Sequence, residues 1–293
     1  MKKHIIILNL LLFGLASQGQ SNILNASIPD EIGEQNEDQL QTDKDSFLLY
    51  NYLDDKDVLW SKIVYEFIDL DEKLNFPLLF PLKDDLYETT RKSLWRVLKE
   101  NILSKDLGRY NVNLEDVNNI YQIYSERNDN FRDFMEFSEI DDKINVIEDL
   151  NGNITKTPIT SDQIIGYNIK GIWYFDKMLG EMRYRLLAIM PLVRTIDDNT
   201  GDELVTRLFW IWYPSIRDIL HTELVYNDKN NATRISFDQL LVSRRFNSYI
   251  YKEDNMYEDR DIRAYKNPGL ETILESERIK KEILDFENDM WNR

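Results

Sequence analysis

NIKGIWYFDKMLGEMRYRLLAIMPLV, residues 168–193, decides the fold class of this chain. In its first nine residues Ile172 and Tyr174 alternate with Trp173 and Phe175, which is the period of a β-strand. Residues 181–193 form a second run of this kind, in which Tyr184, Leu186, Ala188 and Met190 are expected to lie opposite Arg183, Arg185, Leu187 and Ile189. The short link Met178-Leu179-Gly180 between the runs predicts a β-hairpin.

A third run, residues 205–213, is rich in Phe, Trp and Ile and follows a hairpin-type loop at residues 197–201. Three strands joined by short loops predict an antiparallel meander. Both faces of the meander carry aromatic side chains, so at least one face is expected to pack against helices. The predicted fold class is therefore α+β, an antiparallel β-meander packed with several α-helices.

Helices are predicted both before and after the meander in the chain, and two of them precede it. Residues 54–68 are predicted to form one, capped by Asp54 or Asp55, because their apolar residues recur at spacings of three and four. Those residues are Val58, Leu59, Ile63, Val64, Phe67 and Ile68. Residues 84–105 predict a second helix, with Leu86, Leu94, Trp95, Leu98, Ile102 and Leu103 on its inner side.

Three more helices are predicted after the meander. Pro214 begins a short one that runs through Leu220, because Pro is favoured in the first helical turn. Ser236-Phe237-Asp238-Gln239 resembles a capping box, and the helix after it is predicted to reach about Arg245. The last runs from Pro268-Gly269 to about Trp291, with an apolar stripe of Leu270, Ile273, Leu274, Ile279, Ile283, Leu284 and Met290. Residues 110–159 are assigned no clear pattern, apart from a turn at Asn151-Gly152.

The first twenty residues have the pattern of a secretory signal peptide. Lys2 and Lys3 precede an apolar run, residues 5–15, and Ser17-Gln18-Gly19 offers small residues for cleavage. The apolar run is too short for a transmembrane helix, although a buried N-terminal helix is the alternative. Export predicts a periplasmic protein, and no further segment has the length and apolarity of a membrane span.

The predicted domain organisation is a signal peptide at residues 1–20, an acidic flexible arm at 21–50 and a single α+β domain at 51–293. A subdivision near 110–160 is left open. Seven acids lie between Asp30 and Asp45, against the single base Lys44, so the arm is interpreted as a segment that orders on a partner. An idle linker is the alternative interpretation.

Composition excludes several classes of function. The formal net charge is −17, and removal of Lys2 and Lys3 with the leader takes it to about −19, which disfavours nucleic acids and anionic lipid. The chain has no Cys, which excludes disulfides, thiolate metal sites, a Cys nucleophile and a lipid-bearing N-terminal Cys. With 42% hydrophobic residues, it has enough apolar mass for a core.

No catalytic, cofactor or metal residue is predicted. His221 is the sole His outside the leader, so a His-based zinc site or a Ser-His-Asp triad has too few candidates. Acid clusters occur at Asp54/Asp55/Asp57, Asp69/Asp71/Glu72 and Asp141/Asp142, and a pair of acids could hydrolyse a glycoside. In a chain with 53 acids, however, most such pairs are solvated surface groups.

Four residues are predicted to anchor a protein–protein interface: Arg244, Arg245, Trp173 and Trp212. Trp and Arg dominate interface hot spots, and Arg forks pair with carboxylates, which an acidic protein supplies in number. The alternative for the Trp residues is a place in the core.

Several blocks of the chain, in order, resemble one family. They are Asp54-Asp55-Lys56-Asp57-Val58-Leu59-Trp60-Ser61-Lys62, Ile68-Asp69-Leu70-Asp71-Glu72, Asn75-Phe76-Pro77-Leu78, Ile169-Lys170-Gly171-Ile172-Trp173-Tyr174-Phe175-Asp176-Lys177, Phe209-Trp210-Ile211-Trp212-Tyr213-Pro214, Arg244-Arg245-Phe246-Asn247-Ser248-Tyr249-Ile250-Tyr251-Lys252-Glu253 and Phe286-Glu287-Asn288-Asp289-Met290-Trp291. From about Asp54 to its end the chain resembles the gliding-motility protein GldN (PorN) family. The leader and the arm match this family only in character.

The resemblance implies a non-enzymatic, periplasmic component of the type IX secretion system, which also supports gliding in Bacteroidetes. Members of the family assemble with an outer-membrane lipoprotein of the GldK/PorK type into a large ring. Contacts with the inner-membrane motor and with peptidoglycan are further expectations, whereas a nucleic acid partner is not expected. The alternatives are a carboxylate-based hydrolase of the cell envelope and a glycan-binding protein.

Overall fold

A computed structural model describes residues 46–83, 92–103, 121–150, 153–196, 203–226, 235–256 and 259–291 of the chain. The predicted leader, nearly all of the arm, the loop at residues 197–201, the turn at Asn151-Gly152 and Leu86 lie outside these residues. By its internal contacts the chain divides into two units, with the boundary between Ser46 and Phe47. All the strands and helices given below belong to the second unit, Phe47–Arg293.

The strands of the described residues are β1 (Val58–Asp69), β2 (Ile123–Ser125), β3 (Asn145–Leu150), β4 (Asn153–Pro158), β5 (Ile164–Asp176), β6 (Glu181–Ile196), β7 (Glu203–Arg207), β8 (Phe209–Trp212) and β9 (Tyr249–Glu253). The helices are α1 (Phe76–Leu79), α2 (Leu94–Leu103), α3 (Phe137–Ile144), α4 (Tyr213–Thr222), α5 (Phe237–Val242) and α6 (Leu270–Trp291). None of the described helices has both the length and the apolarity to cross a membrane.

Seven of these strands form one antiparallel sheet, in the order β2-β8-β6-β5-β1-β9, with β7 also paired to β6. The predicted hairpin of β5 and β6 lies at its centre, paired from Asp176↔Glu181 to Ile164↔Val193. β3 and β4 form a separate two-stranded hairpin in the region to which the sequence assigned no pattern. The prediction of an α+β fold with an antiparallel sheet is confirmed.

The predicted helix at residues 54–68 is wrong, because this segment forms the long central strand β1. Its Val64, Glu66 and Ile68 face one side of the sheet, while Ile63, Tyr65 and Phe67 face the other, and both sides are covered. A strand with apolar residues on both faces mimics a helical spacing of three and four. Pairing with β5 and β9 decides the conformation, and Asp54 caps only the 3₁₀ turn Asp55–Asp57.

The strict alternation predicted along β6 is also wrong. The register between β5 and β6 shifts at Lys170/Gly171, so that one extra residue of β6 is inserted at Leu187. Such a bulge reverses which residues face which side. As a result Leu186 and Ile189 lie in the core under the helices, whereas Ala188 and Met190 lie on the opposite face.

The predicted third strand divides into β7 and β8 at Leu208. Both parts pair with β6, β7 in register with Leu192–Ile196 and β8 with Ala188 and Ile189. Tyr213, predicted as the last residue of this run, instead begins α4.

The helices after the meander are confirmed, with altered ends. α4 begins at Tyr213, with Pro214 in its first turn, and α6 ends at Trp291. α5 begins after Ser236, whose Oγ accepts a hydrogen bond from the Gln239 amide at 3.1 Å, but it ends at Val242 rather than near Arg245. Of the helix predicted at residues 84–105, the structure describes Leu94–Leu103.

The two faces of the sheet are covered differently. Helices α2 to α5 enclose the largest core cluster on one face, and α6 covers a second cluster on that same face beside β1 and β9. We call this the helical face. A smaller cluster of Tyr65, Tyr124, Ala188, Met190 and Trp210 lies on the opposite face, which we call the open face.

Candidate interaction site

Arg244 stands at the point where α5 ends and the chain turns toward β9. Its φ of 52° is in the left-handed region, where an L-residue other than Asn or Asp costs about 1–2 kcal/mol. The Arg244 and Arg245 amides close the helix end by donating to the Leu241 and Leu240 carbonyls at 3.2 and 3.0 Å. Gly usually occupies this position, so the Arg side chain must supply compensating contacts.

Those contacts are made with Glu66 of β1. The Arg244 Nη1 and Nη2 atoms donate to Glu66 Oε1 and Oε2 at 3.0 and 2.7 Å, in a two-pronged ion pair. The hydroxyl of Ser248 donates to the same carboxylate. Glu66 is only 1% exposed, whereas the Arg244 side chain is 24% exposed. The pair therefore satisfies a buried charge and leaves part of the guanidinium at the surface.

Three aromatic rings surround the Arg244 guanidinium. Its Cζ lies 4.2 Å from the ring centroid of Tyr184 and 5.3 Å from those of Trp173 and Phe246. Gly171 makes this arrangement possible, because a Cβ at that position would overlap the ring and hydroxyl of Tyr184. Each cation–π contact contributes about 0.5–2 kcal/mol, depending on how far the cation is desolvated.

Burial opposes the positive charge of Arg244, but attraction to Glu66 and hydrogen bonds to it outweigh that penalty and raise the Arg244 pKa above its ordinary value. The side chain is thus held in its charged form by the fold. This site is an electrostatic anchor rather than a group poised to exchange protons.

A pocket of about 260 Å³ opens beside this anchor, between the sheet and α6. It has an apolar floor and a charged rim, formed by Glu66, Trp173, Met182, Arg244, Ile250, Lys280, Ile283, Leu284 and Glu287. We call it the Arg244 pocket. An apolar recess with an Arg and a Trp in its wall has the composition of an interface hot spot, which receives a large side chain from a partner.

The four residues predicted as interface anchors do not form one site. Arg244 and Trp173 meet in the Arg244 pocket, whereas Arg245, the exposed residue that follows Arg244 in the chain, does not line it. Trp212 lies on the open face, where its ring packs edge-on against Phe131 at 5.0 Å. Glu66, Tyr184 and Ser248 complete this site but were not predicted. Glu66 and Tyr184 are strand residues 178 and 60 positions from Arg244, so no local pattern links them to it, and Ser248 is a common residue type whose contact with Glu66 depends on the fold.

On the open face, a network of hydrogen bonds and charged side chains surrounds Asp129. Asp129 Oδ2 accepts hydrogen bonds from the Tyr65 hydroxyl and from Lys252 Nζ, both at 2.9 Å, and Lys170 Nζ donates to the Asp129 carbonyl at 2.7 Å. Burial lowers the pKa of Lys170. Burial would raise the pKa of Asp129, but Lys252 and Tyr65 hold it below the ordinary 3.8. These bonds pin the loop after β2 to the sheet.

A shallow groove of about 730 Å³ runs along the open face beside this network. Tyr65, Met190, Trp210 and Tyr251 belong to its lining, together with charged side chains of both signs such as Arg207 and Asp261. Trp210 is buried, so its ring is covered rather than presented to a ligand.

A second buried ion pair lies in the helical layer. Arg217 of α4 donates to both oxygens of Asp238 on α5, at 2.8 and 3.0 Å, and the Tyr213 hydroxyl donates to Asp238 at 2.8 Å. The rings of Phe47 and Tyr50 lie 4.6 and 4.5 Å from the Arg217 guanidinium. Phe47 and Tyr50, which were predicted to belong to the arm, therefore pack against the body.

The acid clusters noted in the sequence are distributed over the surface. Asp141 and Asp142 both bind Lys156 at 2.8 Å. His221 lies in the last turn of α4, with its ring 6.5 Å from that of Phe47. Among the described residues, no group of three or more His, Cys, Asp or Glu side chains is arranged to hold a metal ion.

Comparison with known proteins gives one family. A family model described as "Gliding motility associated protein GldN" matches residues 53–292, most of the chain. A search of the curated proteins returns no match.

Proposed function

Since the chain belongs to the GldN family of gliding-motility-associated proteins, we propose that it is a non-catalytic structural subunit of the type IX secretion and gliding machinery. The observation that carries this proposal is the family match over residues 53–292. That match includes all six described helices and the whole sheet.

In the finer form of the proposal, the subunit lies in the periplasm against the outer membrane. It assembles with a lipoprotein of the GldK/PorK type into a ring and contacts the inner-membrane motor and peptidoglycan. The signal-peptide pattern of residues 1–20 supports export. The chain has no Cys to carry the lipid of a bacterial lipoprotein, so the proposal gives that lipid to the partner. A closed ring needs two different surfaces on each copy, since head-to-tail contacts repeat around the axis.

We assign the Arg244 pocket as one of these surfaces. Its rim keeps part of the Arg244 guanidinium exposed, and its wall includes Leu284 of α6, which is 54% exposed. A large apolar side chain that enters the pocket would cover Leu284 and Trp173 and reach the Arg244 edge. Burial of this kind concentrates binding energy in a few residues.

Two matched variants of α6 test this assignment. Leu284→Glu places a charge in the pocket, whereas Leu274→Glu places the same charge at a position of the same helix that is 58% exposed and lines no described part of the pocket. Both changes are at exposed positions, so both chains are expected to fold with stabilities within about 0.5 kcal/mol of the parent.

The measurement is the mass and composition of particles extracted gently from the outer-membrane fraction of cells that produce each chain. The parent and Leu274→Glu are expected in megadalton particles with a lipoprotein partner, and Leu284→Glu is expected to be depleted from them. A parent chain that purifies alone as a monomer would overturn the structural-subunit proposal. Equal recovery of all three chains in the particles would overturn only the role of the pocket.

The Trp residues of the sheet and the acid pair of α3 do not favour the two alternative functions. A glycan-binding surface stacks sugars on free aromatic faces, but Trp210 is buried, Trp212 packs edge-on against Phe131, and Trp173 packs against Tyr184 with centroids 5.0 Å apart. A carboxylate hydrolase needs two acids facing one another across a cleft. Asp141 and Asp142 are adjacent in the chain and share Lys156.

A further inference from the structure

Strand β7, Glu203–Arg207, is an open edge of the main sheet. One side of β7 pairs with β6, and no strand in the described part of the chain pairs with its other side. All five side chains of β7 are exposed, including Leu204 at 49% and Val205 at 58%. An apolar edge strand with unpaired backbone groups is a template for another strand.

The neighbouring strand on the same side of β6 is protected. β8 continues the line of β7 and is covered by β2, which pairs from Ile123↔Ile211 to Ser125↔Phe209. Among the described residues, β2 therefore lies beside β8, whereas the corresponding place beside β7 is unfilled. Natural sheets guard such an edge with Pro, with a bulge or with charged side chains. β7 has no Pro and no bulge, and its charged residues are one of each sign, Glu203 and Arg207 at its two ends.

The backbone hydrogen bond of Leu208, the residue after β7, shows which residues of β7 bond to β6 and which face outward. The Leu208 amide donates to the Pro191 carbonyl at 3.1 Å, so Leu208 bonds toward β6. In an antiparallel ladder alternate residues bond to the same side, so Leu204 and Thr206 also bond toward β6. Glu203, Val205 and Arg207 accordingly direct their amides and carbonyls outward, to the unfilled place.

The charge order of β7 makes it complementary to itself. An antiparallel copy centred on Val205 would place each Glu203 opposite the Arg207 of the other copy, and Leu204 opposite Thr206. Opposite charges facing each other across strands stabilise pairing, whereas a parallel copy in register would place Glu203 against Glu203. The three outward residues of the two strands would exchange about six backbone hydrogen bonds.

β7 has an edge that no described strand covers, outward hydrogen-bonding groups on alternate residues, and opposite charges at its two ends. From these three observations we propose that β7 pairs antiparallel with β7 of a second copy, so that the two main sheets become one continuous sheet. This contact is independent of the Arg244 pocket, which lies on the helical face. Glu203 lies 3.8 Å from Arg194 and Arg207 lies 3.7 Å from Asp261, and exposed ion pairs of this length exchange partners at little cost.

A charge exchange tests self-pairing directly. Glu203→Arg alone and Arg207→Glu alone each place like charges opposite one another, and each is expected to weaken dimerisation about tenfold. The double variant Glu203→Arg/Arg207→Glu restores both opposite-charge pairs and is expected to restore dimerisation. The measurement is sedimentation velocity of the exported, processed chain over a range of concentrations.

Recovery of dimerisation in the double variant is expected only if β7 of one copy pairs with β7 of another. A foreign strand, or another part of the same chain, would meet the exchanged charges with its own unchanged residues. A double variant as weak as the single variants, or a parent chain that is monomeric at every concentration, would overturn the proposal.

The absence of Cys from the chain allows a second test. In Val205→Cys the new thiols of the two copies would face each other at a Cα separation of about 5.5 Å, within the range of a disulfide. The matched control is Met178→Cys, at an exposed position in the hairpin between β5 and β6. Oxidation is expected to yield at least about tenfold more disulfide-linked homodimer from Val205→Cys, because the pairing raises the effective concentration of its thiols.

Three outcomes of this second test would overturn the proposal. They are equal crosslinking of the two variants, a Val205→Cys thiol inaccessible to soluble reagents in the monomer, and a crosslink to a different envelope protein. Val205→Pro gives an independent check, because the Val205 amide is free of the β6 ladder. This variant is expected to keep the parent's fold and lose the dimer.

Discussion

At the scale of single residues, Arg244 illustrates how a strained backbone and a buried charge support each other. The left-handed conformation directs the guanidinium to Glu66, and the ion pair offsets the cost of that conformation. A buried ion pair adds little net stability compared with apolar residues, but loss of one partner leaves the other uncompensated.

Arg244→Ala is therefore expected to lower the free energy of unfolding by about 3 kcal/mol, since it strands the buried Glu66 carboxylate. Arg245→Ala, at the adjacent exposed residue, is expected to change it by less than about 0.5 kcal/mol. Urea unfolding of the two variants measures both values. Equal small effects would show that the Glu66 contact does not hold the turn.

Gly171 is a second residue with a specific requirement. Gly171→Ala would insert a methyl group into the Tyr184 ring and is expected to destabilise the fold by about 1–3 kcal/mol. A double-mutant cycle with Tyr184→Leu checks the cause, because the smaller side chain frees the space. Strict additivity of the two changes would contradict a clash between Gly171→Ala and Tyr184.

At the scale of elements, the loop after β2 is held on the open face by a charge network. Lys252 and Tyr65 keep the Asp129 pKa below 3.8 against the opposing effect of burial. A carboxyl group whose folded-state pKa is depressed stabilises the fold above its unfolded-state pKa, and that contribution is lost as pH falls through the folded-state value.

The parent chain is therefore expected to lose stability between about pH 4, the unfolded-state value, and the lower folded-state pKa of Asp129. Asp129→Asn removes this group's titration, so the variant should be less stable than the parent at pH 7 and should approach it in acid. Thermal unfolding from pH 2.5 to 7 measures the difference between them. A constant difference over that range would exclude Asp129 as the source.

Helix α6 shows that an apolar stripe in a sequence is wider than the face that is buried. Of the predicted stripe, Ile279 and Ile283 are buried against β1 and β9, while Leu270, Ile273, Leu274 and Leu284 are exposed. Packing against a sheet covers one side of a helix, and the remaining apolar residues stay outside that contact.

A comparison of two Ile residues of α6 tests this packing. Ile279→Ala should cost about 2–5 kcal/mol, because Ile279 is fully buried in the cluster beneath the helix. Ile273→Ala, six residues earlier on the exposed side of the helix, should cost less than about 1 kcal/mol. Chemical denaturation gives both values, and the reverse order would mean that the helix packs through its other side.

At the scale of the whole molecule, the proposed assembly would use surfaces that are separate from the core. The predicted arm, the Arg244 pocket and the β7 edge are different parts of the chain, and loss of one should leave the fold intact. Deletion of residues 21–46 removes the acidic segment but keeps Phe47 and Tyr50, which pack on Arg217.

The deletion is accordingly expected to leave a cooperative unfolding transition at the parent's midpoint and to reduce recovery in envelope particles. The two measurements are a melting curve and the mass of the extracted complex. Unchanged recovery would refute a role of the arm in assembly, and a lowered midpoint would show that the segment contributes to the fold instead.

The antiparallel sheet and the helices after it were predictable, because their signals are local. The alternation in β5 and its short connection to β6 lie within adjacent residues, and so do Pro214 at the start of α4 and Ser236 before α5. The site was predictable only in part. Arg244 and Trp173 are unusual residue types, but nothing in the sequence near them specifies that they meet.

Local patterns in the sequence were enough to determine the fold class, the order of the meander strands and the starts of the helices that follow the meander, because the alternation, turn and capping signals behind them lie within a few residues of one another. The tertiary structure alone decided that residues 58–69 form a strand, that Trp173 and Trp212 lie on opposite faces, and that Arg244 turns toward Glu66. These outcomes depend on pairing and burial between segments far apart in the chain. The free energy of such contacts exceeds the local preferences that a sequence pattern reports.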